Sequence, residues 1–165
     1  MGSHRCRTRR GRDVKIIIET IPHLNQRYNT VGDWQWEDGG QTLHVKVSSM
    51  AYPSGSVYVN KELQEAAIGL HEVIEALQCR KDDVTEKQVD EFDKGPGGEE
   101  AEGLNMEPGD HWDSPYKRQH CLATGFERIL CFAFGITWYE YEDLINELSN
   151  NYDKIKEEEE NGKNT

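Results

Sequence analysis

Asp33-Trp34-Gln35-Trp36-Glu37-Asp38-Gly39-Gly40-Gln41-Thr42-Leu43-His44-Val45-Lys46-Val47-Ser48 decides the fold. Polar and aromatic residues alternate through Glu37, Asp38-Gly39-Gly40 supplies a turn, and Leu43, Val45 and Val47 then alternate with His44, Lys46 and Ser48. A period of two on both sides of a glycine turn is the signature of a β-hairpin with one apolar face. Upstream, the β-branched run from Val14 to Ile21 ends at Pro22 and reads as a further strand, with residues 23 to 32 as a polar loop. The expectation is a small, mainly antiparallel three-stranded N-terminal sheet.

Downstream the periodicity changes to that of helices. Asn60 can cap a helix running to about Cys79, with Leu63, Ala66, Ala67, Leu70, Ile74 and Leu77 as its apolar face. Thr85 and Gln88 have capping-box spacing and open a short helix, Glu86 to Asp93. Residues 94 to 114 are rich in Gly, Pro and acid, and read as a long acidic loop of functional character. Asp113 or Ser114 then caps a helix with Pro115 in its first turn, running to Phe134 and ended by Gly135. Thr137 and Glu140 open a last helix carrying Trp138, Tyr141, Leu144, Ile145 and Leu148. Strands followed by three to four helices predict an α+β domain.

The chain of 165 residues suits one domain, over residues 14 to 150, between a basic disordered segment (1 to 13) and an acidic flexible tail (151 to 165). Met1-Gly2-Ser3-His4 has the composition of a cloning remnant. The net charge is −12; five arginines against Asp13 make residues 1 to 13 +4, so the remainder carries −16. A domain that acidic repels phosphate backbones, which argues against broad nucleic-acid binding. No apolar run reaches the roughly 18 residues of a membrane span. Cys6, Cys79, Cys121 and Cys131 have no CxxC spacing, and the expectation is a reduced, cytoplasmic protein.

The chemistry-bearing stretch is His71-Glu72-Val73-Ile74-Glu75. His71 and Glu75, four apart, share one helix face. This is the zinc-protease helix pattern H-E-x-x-H with its second histidine replaced by glutamate. Zinc accepts imidazole nitrogen and carboxylate oxygen, so His71 and Glu75 remain candidate ligands, and Glu72 stands where a general base can take a proton from water. His120, on a later helix whose face continues through Ala123, Thr124 and Glu127, is the candidate third ligand. Glu127 would support the ligands from outside or join them, Asp90 and Asp93 offer an alternative acidic pair, and Asp110, His111 and Tyr116 are expected at the rim. The competing reading makes His71 and Glu75 an exposed helix pair and His120 a hydrogen-bonded core histidine.

Other features carry less. Trp34, Trp36, Trp112 and Trp138 are expected in the core, and Gly95-Pro96-Gly97-Gly98 lacks the Lys-Ser/Thr of a phosphate loop. The stretches Ile18 to His23, Gln26-Arg27-Tyr28, Gly32-Asp33-Trp34, His71 to Leu77, Val89 to Asp93, Glu107 to Asp110, Pro115-Tyr116 and Gln119-His120 resemble a family of small, uncharacterised phage and prophage proteins, over most of residues 15 to 142. The resemblance implies a viral or prophage origin and a host-cytoplasmic location, and brings no activity with it. A more distant likeness to zincin-type metallopeptidases rests on the His71-Glu72-x-x-Glu75 helix. Glu72-x-x-Glu75 and Asp90-x-x-Asp93 also resemble the paired acidic motifs with which all-α nucleoside-triphosphate pyrophosphatases hold magnesium.

Three functions follow as expectations. The first is a zinc-type metal-dependent hydrolase acting on a small molecule or peptide, with 94 to 114 as lid or rim. The second is a non-enzymatic phage factor binding a host protein or small signalling molecule. The third is a magnesium-dependent nucleotide pyrophosphatase.

Overall fold

The computed structural model describes residues 13–49, 61–104 and 106–162, with backbone alone at 153–155 and 157–162. The basic segment through residue 12, Cys6 and the cap expected at Asn60 lie outside the described residues. Three strands, β1 (Lys15–Ile21), β2 (Gly32–Glu37) and β3 (Thr42–Ser48), precede five α-helices: α1 (Lys61–Lys81), α2 (Glu86–Asp93), α3 (Pro96–Gly103), α4 (Lys117–Phe134) and α5 (Trp138–Gly162). The α+β class holds. Among the described residues no single helix is long and apolar enough to cross a membrane.

The sheet is mixed, which corrects the mainly antiparallel expectation. Strand order is β1-β3-β2, with β2 antiparallel to β3 and β1 parallel to it. The hairpin turn is as expected, with Asp38, Gly39 and Gly40 all at positive φ. Successive strands still alternate in direction, but β1 adds to the free edge of β3 instead of pairing with β2. Ile21 lies opposite Ser48 and Gly32 opposite Val47, so residues 22–31 only cross the end of β3. His23 Nδ1 to Ser48 Oγ (2.8 Å) and Gln26 Nε2 to the same oxygen (3.1 Å) pin that crossing.

Leu43, Val45 and Val47 of the central strand are fully buried beneath α1. α1 contributes Ala67, Ile68, Val73, Ala76 and Cys79 to the same core, and α5 adds Tyr141, Leu144, Ile145 and Leu148. The expected apolar face of α1 is not its buried face. Leu70 and Leu77 are 36% and 40% exposed, whereas Gln64, Glu65, His71 and Glu75 are buried. The polar arc faces inward because α4 meets it with polar groups of its own, Gln119, His120 and Glu127.

The capping box of α2 is present in both directions between Thr85 and Gln88. Residues 94 to 114 are not a loop: they contain α3 and a 3-10 turn at Pro108–Asp110. Pro96 occupies the first turn of α3, where its missing N–H is no loss. Gly98 is required by the tight α2–α3 corner, since a Cβ there would lie 2.0 Å from the Asp93 carbonyl oxygen. α4 begins at Lys117, later than the expected start at Pro115, and ends on Gly135 at φ 72° in the left-handed region. α5 continues to Gly162, past residue 151 where a tail was expected.

Candidate metal centre

The α1–α4 contact brings His71, Glu75 and His120 together, all buried, with a donor atom from each lying within 4.8 Å of the others. Glu75 Oε2 stands between the rings, 3.0 Å from His120 Nδ1 and 3.6 Å from His71 Nε2. Tetrahedral donors bonded to zinc at about 2.1 Å stand about 3.4 Å apart, so these spacings already approximate a coordination shell. The three expected ligands therefore converge as a candidate metal-binding triad, and the exposed-pair reading fails.

The other atom of each donor group has a partner. His71 Nδ1 lies 2.9 Å from Glu127 Oε2, and Glu127 Oε1 accepts the hydroxyl of buried Tyr141. His120 Nε2 is 3.2 Å from Glu107 Oε2 and 3.7 Å from Asp110 Oδ1. The indole of Trp34 donates to Glu75 Oε1 at 2.9 Å. A carboxylate behind each histidine fixes the ring's orientation and raises the basicity of the opposite nitrogen. Glu127 thus lies behind His71, and Asp110 lies beyond His120, on the side away from Glu75.

Glu107, Trp34 and Tyr141 were missed as site residues. Glu107 is carried to His120 by the 3-10 turn that follows it, and Gly109 lets that turn lie on the ring: a Cβ there would be 2.3 Å from His120 Cγ. The Glu107-Pro108-Gly109-Asp110 string was the available signal, but nothing in it points to a helix eleven residues on. Trp34 is in the core, as expected, and also orients a ligand.

Electrostatics within this cluster favour charge separation. Burial alone would depress His71, but its ring N–H groups donating to Glu127 and Glu75 carry it well above the ordinary imidazole range. His120, similarly buried but bonded to Glu107 and Glu75, is raised to about 10. Burial opposes ionisation of Glu75, yet its bonds to His120 and His71 pull it down to about 2. The surroundings thus favour protonated rings beside Glu75, and a divalent ion would compete with those ring protons.

Glu72 points elsewhere. It faces a pocket of about 50 Å³ whose lining includes Tyr28, Gly32, Asp33, Trp34, Glu75, Asp93 and Tyr116. Its carboxylate packs so closely on Gly32 that a Cβ there would overlap Oε1 at 2.3 Å. Burial, with Glu75 beside it, pushes Glu72 well above the usual carboxylate range. The pocket reaches the triad through Glu75, which lines it together with Glu72.

Asp90 and Asp93 line the same pocket but do not join the triad. Asp90 is tied to Arg27 at 2.8 Å and to Lys94 at 2.9 Å, and Arg27 also grips Asp33. Asp93 accepts the hydroxyls of Tyr116 (2.8 Å) and Tyr28 (3.2 Å). Tyr116 is a buried wall of the pocket. His111 is not at a rim: it is 1% exposed, stacked on Trp112 with ring centroids 4.0 Å apart. The Asp113 N–H, which bonds to His111 Nδ1, turns that ring inward.

Burial raises Asp93 to about 7, despite its two tyrosine donors. A carboxyl with a raised folded pKa holds its proton while the unfolded chain has lost it, so stability falls as pH rises from about 4 through 7. Asp93→Asn should therefore gain stability relative to the native chain as pH rises, by up to about 4 kcal/mol between pH 3.5 and pH 8. Thermal melts at the two pH values test this; an Asn variant that gains nothing on the native chain between them contradicts it.

No protein-family model, curated protein or solved structure matches this chain.

Proposed function

We propose that this protein is a metal-dependent hydrolase that holds one zinc-type ion on His71, Glu75 and His120 and uses Glu72 as general base. The observation that carries the reading is that every ligand has its non-coordinating atom secured: Glu127 on His71, Glu107 on His120 and Trp34 on Glu75. Two histidines and a glutamate form a catalytic zinc donor set that leaves a coordination position open. The donor set also speaks for zinc over magnesium, which prefers oxygen.

A bound ion would polarise a substrate oxygen and acidify water. The chain's own part is to place Glu72 beside that position, on the pocket side of Glu75, where it takes the water's proton. Glu72 returns that proton to the leaving group, a role suited to a carboxyl whose surroundings raise its pKa. The pocket admits only a small group next to the reacting bond, so the rest of a small-molecule or peptide substrate lies outside it. A prophage origin and a host-cytoplasmic location belong to this proposal and rest on the sequence resemblance.

The magnesium pyrophosphatase reading has one observation in its favour: Glu72, Glu75, Asp90 and Asp93 all line the same pocket. Against it, Glu75 is committed to two histidines and Trp34, and Asp90 to Arg27 and Lys94. An Asp90→Ala variant keeping full activity on nucleoside triphosphates would remove it.

Zinc titration decides the first reading. Calorimetry at pH 7.5 should show one ion per chain with protons released, because the carboxylates beside both rings favour their protonated forms. The melting temperature should rise with zinc concentration. A protein purified without metal that takes up none at 100 µM zinc ends the proposal.

A further inference from the structure

The outward face of α4 is apolar from Leu122 to Phe132, with Arg118 and Arg128 exposed beside it. Leu122, Phe126, Ile129 and Phe132 are 43%, 47%, 63% and 87% exposed, and recur at helical spacing on the side opposite His120, Ala123 and Glu127. Nothing in the described chain covers them. Taking about 200 Å² for a full phenylalanine and somewhat less for the aliphatic residues, the four leave roughly 450 Å² of contiguous apolar surface. A patch of that size on a small acidic protein marks an interaction surface.

We infer that this face is the interface of a homodimer, in which two copies of α4 pack antiparallel about a two-fold axis passing between Gly125 and Phe126. Three observations select a second copy of the chain as the occupant.

The first is register. Antiparallel pairing about that axis sets Leu122 opposite Ile129 of the partner subunit and Gly125 opposite Phe126 of the partner subunit. Phe132 falls beside the stems of Arg118 and Cys121 of the partner subunit. All these residues are exposed on the same helix face, so a two-fold pairing sets apolar side chains, not charges, at its centre.

The second is Gly125. It sits mid-helix, exposed, and a Cβ built on it meets no atom of its own chain within 4 Å. A glycine weakens a helix interior, and no packing among the described residues explains one here. Opposite a phenylalanine ring of another copy it supplies the hole into which the ring fits.

The third is charge. The chain carries 31 acidic residues and a net −12, yet the exposed residues of α4 are Arg118, Cys121, Leu122, Gly125, Phe126, Arg128, Ile129, Phe132 and Ala133, with no carboxylate among them. Two acidic chains can approach on this face without opposing carboxylates. The two apolar patches would bury about 900 Å², and the arginine stems and neighbouring backbone at the edge raise this towards the roughly 1,200 Å² of a small stable interface.

Sedimentation equilibrium of the full chain tests the inference, with Gly125→Leu and Ile129→Lys as variants. The native protein should sediment at twice its 19.0 kDa chain mass at 50 µM. Both variants should sediment as monomers with unchanged circular dichroism. Gly125→Leu separates a fitted interface from unspecific apolar adhesion, because it adds apolar surface and helix propensity while filling the hole. It should keep the native circular dichroism and yet dissociate at least tenfold more readily. A native chain monomeric at 100 µM overturns the inference, leaving the face to another occupant. So does a Gly125→Leu variant that associates as tightly as the native protein.

Discussion

His120→Ala should abolish stoichiometric zinc binding, weakening it at least about 10³-fold, while Glu127→Gln weakens it only about 10- to 100-fold. The two substitutions probe different links of the same chain of contacts. Removing His120 deletes a donor atom and leaves Glu75, Glu107 and Asp110 facing one another without the positive ring between them. That also destabilises the apo-protein, chiefly at buried Glu75, which keeps only His71 and Trp34, while half-exposed Glu107 and Asp110 are screened by solvent. Binding must therefore be compared on folded protein, confirmed by circular dichroism at each zinc concentration. Glu127→Gln keeps the hydrogen-bonding shape towards His71 and Tyr141 but withdraws the charge. A neutral amide no longer raises His71 as strongly, so the variant should bind zinc less tightly and release fewer protons on doing so. Equal zinc affinity in the native chain and His120→Ala would exclude His120 as a ligand.

Much of this arrangement could be read from the residues because its signals are local. The α2 boundaries follow from Thr85 and Gln88, and the hairpin from Asp38-Gly39-Gly40; each depends on atoms within four residues of one another. What failed depended on partners distant in sequence. The parallel β1–β3 pairing turns on which edge of β3 receives β1, and no alternation pattern encodes that. α3 was hidden because its glycines look like loop residues, while Gly98 in fact serves a close approach to α2. The face of α1 was misassigned for the most instructive reason. Apolar periodicity assumes that the buried side is the apolar side, and here Gln64, Glu65, His71 and Glu75 are buried while Leu70 and Leu77 are not. The buried arc of α1 thus mixes Ala67, Ile68, Val73, Ala76 and Cys79 with polar groups that meet polar partners on α4, a combination that apolar periodicity does not reveal. The His71-Glu72-x-x-Glu75 helix and His120 were visible as residue types at plausible positions; Glu107, brought in by a turn, was not.

Glu72→Gln should leave zinc affinity within about threefold of native and lower hydrolysis about 10²- to 10⁴-fold, the usual contribution of a positioned general base. The separation is expected because Glu72 stands outside the triad, on the pocket side against Gly32, and has no bond to His71 or His120. Glutamine preserves its volume there, so stability should change little, or rise slightly as a half-buried carboxyl is removed. The pH profile provides the sharper readout. If Glu72 acts by accepting a proton, the acid limb of activity in the native enzyme should reflect a carboxyl raised above its ordinary range, and that limb should disappear with the residual activity of Glu72→Gln. The experiment requires a substrate, found by screening ester, peptide and phosphoester compounds small enough to place one group in the 50 Å³ pocket. A variant that binds zinc normally and keeps its full rate would remove Glu72 from the mechanism. One that retains full biological effect with no measurable turnover in either form would favour a non-enzymatic binding role, with His71, Glu75 and His120 holding a structural ion.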